Sequence, residues 1–147
     1  MNKTIRLLAM IAIAIMATAA QAHAQQLQSV MSRFAGAWRQ NDDKAIAGMI
    51  AREGASIETP AGRLGPLGAR QTAAVLRVLF DERATQDVRT RQVHEVGGSP
   101  QKAYAEVIWT STMRETTQAT RVVVFVELML EQERYWRITR IRLITPE

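Results

Sequence analysis

The chain has 147 residues, 47% of them apolar and 22% charged, with no cysteine and a formal net charge of +5. This composition excludes a disordered, collagen-like or disulfide-stapled chain, and the length suits one domain around one core. The missing thiols exclude cysteine nucleophiles and thiolate metal sites.

The first 24 residues read as an export leader. Lys3 and Arg6 form a basic start, Leu7 to Ala20 is apolar and uncharged, and Ala22-His23-Ala24 is a small-x-small cleavage pattern. Ala20-Gln21-Ala22 offers a competing cut two residues earlier. The apolar run is about 14 residues, against the roughly 20 that a membrane-spanning helix needs, so an uncleaved anchor is the alternative rather than the first choice. No later segment is long and apolar enough for a membrane helix, and no lipobox cysteine follows the run. The expected product is residues 25–147, exported to the periplasm or beyond, with no stable membrane span. Lys3 and Arg6 leave with the leader, so the net charge falls from +5 to +3. No dense basic run with interleaved aromatics is present, and nucleic acid is not an expected partner.

The pattern of the exported part is helices first, strands after. Leu27, Val30, Met31, Phe34, Ala35 and Trp38 recur at three- and four-residue steps and predict a helix over Leu27 to Arg39. Asn41-Asp42-Asp43 breaks it, and Asp42 or Asp43 can cap a short second helix over Lys44 to Ile50. Gly54 ends that helix, and Ala55 to Thr59 reads as a short strand. Pro60 to Gly68 carries two prolines and three glycines and reads as a loop. Ala69 to Arg83 has the apolar spacing of a third helix.

From there the period changes to two. Val88 to Val96 is a strand closed by Gly97-Gly98-Ser99-Pro100; Lys102 to Met113, Arg121 to Glu131 and Arg134 to Ile144 follow as an antiparallel meander. In the second of these strands Ala103, Ala105, Val107, Trp109 and Met113 share the face expected to meet the helices, with Tyr104 and Glu106 on the other. In the third, both faces are apolar, with Val123, Phe125 and Met129 backing Val122, Val124, Val126, Leu128 and Leu130. A second copy of the same sheet is the simplest cover for the outer set, so a homodimer is expected. In the last strand Trp136 and Ile138 differ in parity from Ile141 and Leu143, and a bulge near Thr139-Arg140 would restore one apolar face.

This order of elements, with Phe34 and Trp38 on the first helix, the Asn41-Asp42-Asp43-Lys44 break, Ile57-Glu58-Thr59-Pro60 with Gly62, and Tyr135-Trp136-Arg137-Ile138 in the last strand, resembles the NTF2-like superfamily. That is the cone-shaped α+β fold of ketosteroid isomerase-like and SnoaL-like proteins. The resemblance runs from about Leu27 to Leu143. It is nearest to small exported members of unknown function, with Gln71-Thr72-Ala73-Ala74-Val75-Leu76 and Leu79-Phe80 on the third helix and His94 late in the next strand. The implied fold is three N-terminal helices on a curved, mainly antiparallel sheet of four to five strands. The implied ligand site is the cone between helices and sheet, where ketosteroid isomerase-like members use a carboxylate base with tyrosine and protonated carboxyl donors.

After loss of the leader His94 is the one histidine, so a two-histidine metal site within one subunit, and with it any metal requirement, is not expected. No nucleophile elbow, P-loop or dinucleotide-binding glycine pattern is present, and no cofactor is expected. Acid–base chemistry remains, with Glu58 and His94 as its candidates; His94 shares the parity of Val88 and Val96 and is expected to point inward. The bland readings are a solvated, arginine-paired strand-end carboxylate for Glu58 and a core or rim histidine hydrogen-bonded to backbone for His94. Trp38, Trp109 and Trp136, with Glu58 and His94, are the candidate lining for a small apolar or anionic ligand; for the three indoles, which all fall on inner faces, core packing is the favoured reading. Asp87 with Arg89 reads as a surface pair, Tyr104 with Glu106 as an interface pair, and Arg121, Arg140 and Arg142 as a solvated face. The expected function is an exported, non-enzymatic small-ligand-binding or protein-interaction module that dimerises through its sheet. An isomerase- or dehydratase-type enzyme using Glu58 or His94, and an interaction protein with a filled cone, are the alternatives.

Overall fold

The computed structural model describes residues 3–146. Its first helix, α1 (Lys3–Arg39), has two parts with different surroundings. Among the described residues the apolar segment from Leu8 to Ala20 packs on nothing, and Leu8, Met10, Ile11, Ile13, Ile15 and Met16 are all exposed. From Leu27 onward one face is buried, carrying Val30, Met31, Phe34 and Trp38. The helix therefore starts far upstream of Leu27: the first 24 residues have good helix formers and no proline or glycine to interrupt it. By length and composition α1 is the one helix among the described residues long and apolar enough to cross a membrane.

Asn41 ends the helix in a left-handed conformation (φ +54°), which asparagine tolerates better than most residues. Asp42 then accepts from the Ala45 amide at 3.0 Å and caps α2 (Asp43–Ala47), which stops short of the expected Ile50. Met49 and Ile50 leave the helix for the core, and Ala51 donates to the Ile138 carbonyl at 2.8 Å, tying this turn to the sheet.

The segment expected as a loop over Pro60 to Gly68 contains a strand. β1 (Ala55–Thr59) turns back as β2 (Gly62–Leu67), with Ile57 opposite Leu64 and Thr59 opposite Gly62. Its prolines and glycines have positional reasons. β2 is an outermost strand, where Pro66 deprives no neighbour of a ladder bond. Gly65 adopts φ +124° where an added Cβ would come within 2.9 Å of the Ser56 Cα. α3 (Ala69–Glu82) follows, its first turn held by the Gly68 amide donating to Gln71 Oε1 at 3.1 Å. It runs straight into β3 (Arg83–Gly97), which begins five residues before the expected Val88. β4 (Lys102–Met113), β5 (Ala119–Glu131) and β6 (Tyr135–Ile144) complete the chain.

The sheet has six strands in the order β2-β1-β6-β5-β4-β3, one or two more than expected, because β2 adds to β1. β1 lies parallel to β6 and every other neighbour is antiparallel. The bulge falls where parity required it. Glu127 faces Arg140 and Leu128 faces Ile138, which leaves Thr139 as the extra residue and brings Trp136, Ile138, Ile141 and Leu143 to one buried face. Ala103, Ala105, Val107, Trp109 and Ser111 bury the matching face of β4; Met113, expected with them, is exposed at the strand's end beside Asp81 and Glu82 of α3. The inner face thus meets α1, α2 and α3, and the outer face of β3 to β6 has no layer over it.

Candidate functional site

Two places could hold a function, the cone and the outer face. The cone is filled by aromatic rings. Trp38 packs on Phe34, Phe80 and Trp109 with centroids 5.3, 5.1 and 5.4 Å away, the latter two edge to face. Trp38 and Trp109 have no exposed surface. The Trp109 indole donates to Thr85 Oγ1 at 3.0 Å, and that hydroxyl donates to Asn41 Oδ1 at 2.9 Å. The Arg83 guanidinium lies over the Trp109 ring at 5.5 Å. The Trp38 indole N–H is buried without an acceptor among the described residues. Trp136 lies at the other end of the inner face and donates to the backbone carbonyl of His23 at 2.9 Å, within the expected leader.

The interior holds little that titrates. The buried polar or charged residues among those described are Ser56, Thr72 and Ser111. A carboxylate base with proton donors converging on a ligand needs ionisable groups facing the cone, and both candidates stand elsewhere. Glu58 is half-buried on the outer face, where its carboxylate pairs with Arg142 Nε at 3.4 Å. His94 is exposed on the outer face rather than turned inward. The parity argument from Val88 fails because β3 has a bulge between Thr90 and Gln92; Arg91 is the extra residue, and beyond it Val93 turns in while His94 and Val96 turn out. Glu58 on β1 and His94 on β3 are separated by β6, β5 and β4, about 19 Å at ~4.8 Å per strand. The structure therefore does not bring the two together, and it places neither beside the three tryptophans.

The outer face is ordered by register. One row runs Glu58, Arg142, Phe125, Glu106, Gln92 across β1, β6, β5, β4 and β3. The next runs Arg140, Glu127, Tyr104, His94, and another Ile144, Val123, Ile108, Arg89. Aromatic side chains form a diagonal ladder: His94 is 5.2 Å from Tyr104, which stacks on Phe125 at 5.4 Å. His94 Nε2 lies 3.1 Å from Gln92 Oε1. Arginine–carboxylate pairs bracket the ladder, Arg91 with Glu106 on one side and Arg140 with Glu127 (3.3 Å) on the other. Between the ladder and the Thr139 bulge lies a groove of about 420 Å³, lined by Tyr104, Phe125, Glu127, Met129, Val96 and Lys102 among others. The sequence marked Tyr104, Glu106, Phe125 and Met129 as outer residues. It gave no sign of Arg91 and Gln92, because their position depends on the β3 bulge. Asp87 and Arg89 form the expected surface pair at 2.9 Å.

No family model and no curated protein matches this sequence. Solved structures do match its fold. A ketosteroid isomerase-like protein from Erwinia carotovora atroseptica superposes with a TM-score of 0.65 at 17% identity, over 84% of this chain and 95% of that one. A domain of unknown function with a cystatin-like fold from Nostoc punctiforme gives 0.64 at 18% identity, over 87% and 78%. A DUF4783 family protein from Bacteroides uniformis gives 0.64 at 9%, over 79% and 96%. At these identities the likeness is one of fold, and the chain has the NTF2-like α+β architecture.

Proposed function

We propose that this chain is an exported, non-enzymatic NTF2-like module that pairs with a second copy of itself across the outer face of its sheet. The observation that carries the reading is the division between the two faces: the cone is occupied by the protein's own rings, while the outer face offers apolar surface and a groove with nothing over them. Ile108, Val123, Phe125 and Met129 lie at its middle and the Arg–Glu pairs flank them. A two-fold axis running along β5 would set Glu106 of one copy against Arg142 of the other, on either side of Phe125.

Four strands, each with about eight residues of which about four face outward, make a plane of roughly 19 by 26 Å, near 500 Å² per copy. Two copies then bury on the order of 1,000 Å² before side-chain relief is added, at the low end for a specific interface. An interface of that size belongs with weak, transient pairings. Export is supported by the bare apolar segment from Leu8 to Ala20 and by a core that begins at Leu27, three residues beyond Ala24. The groove beside Tyr104 and Phe125 is the place where a small apolar ligand would compete with the second copy.

Light scattering on the exported protein tests the pairing. The expected result is a dimer at tens of micromolar that dissociates on dilution, and a monomer for Phe125→Asp with an unchanged far-UV spectrum. A wild-type monomer at a hundred micromolar would overturn the reading.

A further inference from the structure

We propose that the first residue of the exported protein, Gln25, closes on itself to pyroglutamate; the proposal rests on the export reading above and on a cut after Ala24. The chemistry needs only the residue's own atoms. The α-amine attacks the side-chain Cδ, the Nα–Cδ bond forms, the Cδ–Nε2 bond breaks, and the amide nitrogen takes the proton shed by the amine and leaves as ammonia. The product is a neutral five-membered lactam.

Three observations make Gln25 a favourable place for it. First, Gln25 is exposed, and the buried face of α1 begins two residues later at Leu27, so the new terminus stands clear of the core. Second, α1 is helical through this point, and removal of the leader makes Gln25 the start of the helix. The unpaired amides there form its positive pole, which favours the neutral amine over the ammonium. The neutral amine is the nucleophile. Third, nothing offsets an ammonium at this pole within the helix: residues 25–39 contain no aspartate or glutamate, and their charged side chains are Arg33 and Arg39. Ring closure removes a charge that no side chain of the helix itself offsets. Glu95 lines the same crevice as Gln25, beside Gln28 and Val93. It is exposed and solvated, so it holds an ammonium only weakly, and it is a carboxylate able to accept the proton. The lactam also closes the chain to aminopeptidases.

Intact-mass measurement on the full chain, exported with its own leader and recovered from outside the cytoplasm, tests the proposal. The expected mass is that of residues 25–147 less one ammonia, with any open form converting over days at neutral pH. Gln25→Asn, whose side chain is too short to form the same ring, should keep its ammonia. Conversion should be several-fold slower in concentrated urea, where the helix and its pole are gone. A chain that starts at Gln25 and keeps its full mass overturns the cyclisation. Equal rates in folded and unfolded protein overturn the part played by the helix. A chain that starts at His23 or retains its leader overturns the cleavage reading beneath both, and the masses distinguish all of these outcomes.

Discussion

Trp38 and Trp109 are two indoles in one core with opposite hydrogen-bonding states. Both are fully buried, their rings 5.4 Å apart at 82°. Trp109 donates to Thr85 Oγ1, whereas the Trp38 N–H has no acceptor among the described residues. Replacing each with phenylalanine deletes the same atoms, so the transfer and cavity costs largely cancel when the two variants are compared. What differs is the polar term. Trp109→Phe loses a formed hydrogen bond, a net cost of about 1 kcal/mol. Trp38→Phe removes a donor whose burial without a partner costs about 2 kcal/mol, and so recovers that amount. The Arg83 contact over Trp109 adds in the same direction. Trp109→Phe should therefore be less stable than Trp38→Phe by about 3 kcal/mol, roughly 10 °C in Tm for a domain of this size. Urea unfolding of residues 25–147 followed by far-UV circular dichroism measures the difference. If Trp38→Phe proves as damaging as Trp109→Phe, the account of the orphan donor in this core is wrong.

Two further substitutions probe the fold and the candidate site. Gly65→Ala places a Cβ against the Ser56 backbone at 2.9 Å in a φ +124° conformation, and should cost about 2 kcal/mol or more; hydrogen exchange should show β1 and β2 loosening first, and an unchanged melting curve would contradict the tight packing of that hairpin. Glu58→Gln breaks an ion pair open to solvent and should change stability by less than about 1 kcal/mol, with the difference shrinking in salt. A larger, salt-insensitive loss would mean that Glu58 does more than pair with Arg142.

The parts of this molecule legible in its sequence are those set by local periodicity. The α1 stripe from Leu27 to Trp38, the alternation of Ala103 to Trp109, and the Thr139 bulge all follow from which positions must share an apolar face. What could not be read depends on which strand ends up at an edge. Pro66 and the glycines of β2 look like loop chemistry until β2 is known to be outermost, where proline is tolerated. His94 was misplaced for a related reason. Counting by twos is sound only without bulges: past Arg91 the inward parity passes from Val88 to Val93, and Val96, which keeps the parity of Val88 but turns out, hides the slip. The packing of the cone was legible in part: three tryptophans on inner faces favour a packed core, and all three are buried, with Trp38 against Trp109 at 5.4 Å.

The same edge logic bears on how two copies would meet. A sheet can associate edge to edge or face to face, and both edges of this one are blunted. β2 is six residues long and carries Pro66. β3 is longer but has three register shifts along its length, and Arg39 reaches from α1 to donate to the Val88 carbonyl at 2.6 Å, occupying a group that another strand would use. Strand addition at either edge therefore starts with a disrupted ladder. The outer face has no such protection: Ile108, Val123, Phe125 and Met129 are half-buried only by their own neighbours. If association runs through that face, Phe125→Asp should abolish it, while Arg39→Ala, which exposes the Val88 carbonyl, should leave the dimer constant unchanged.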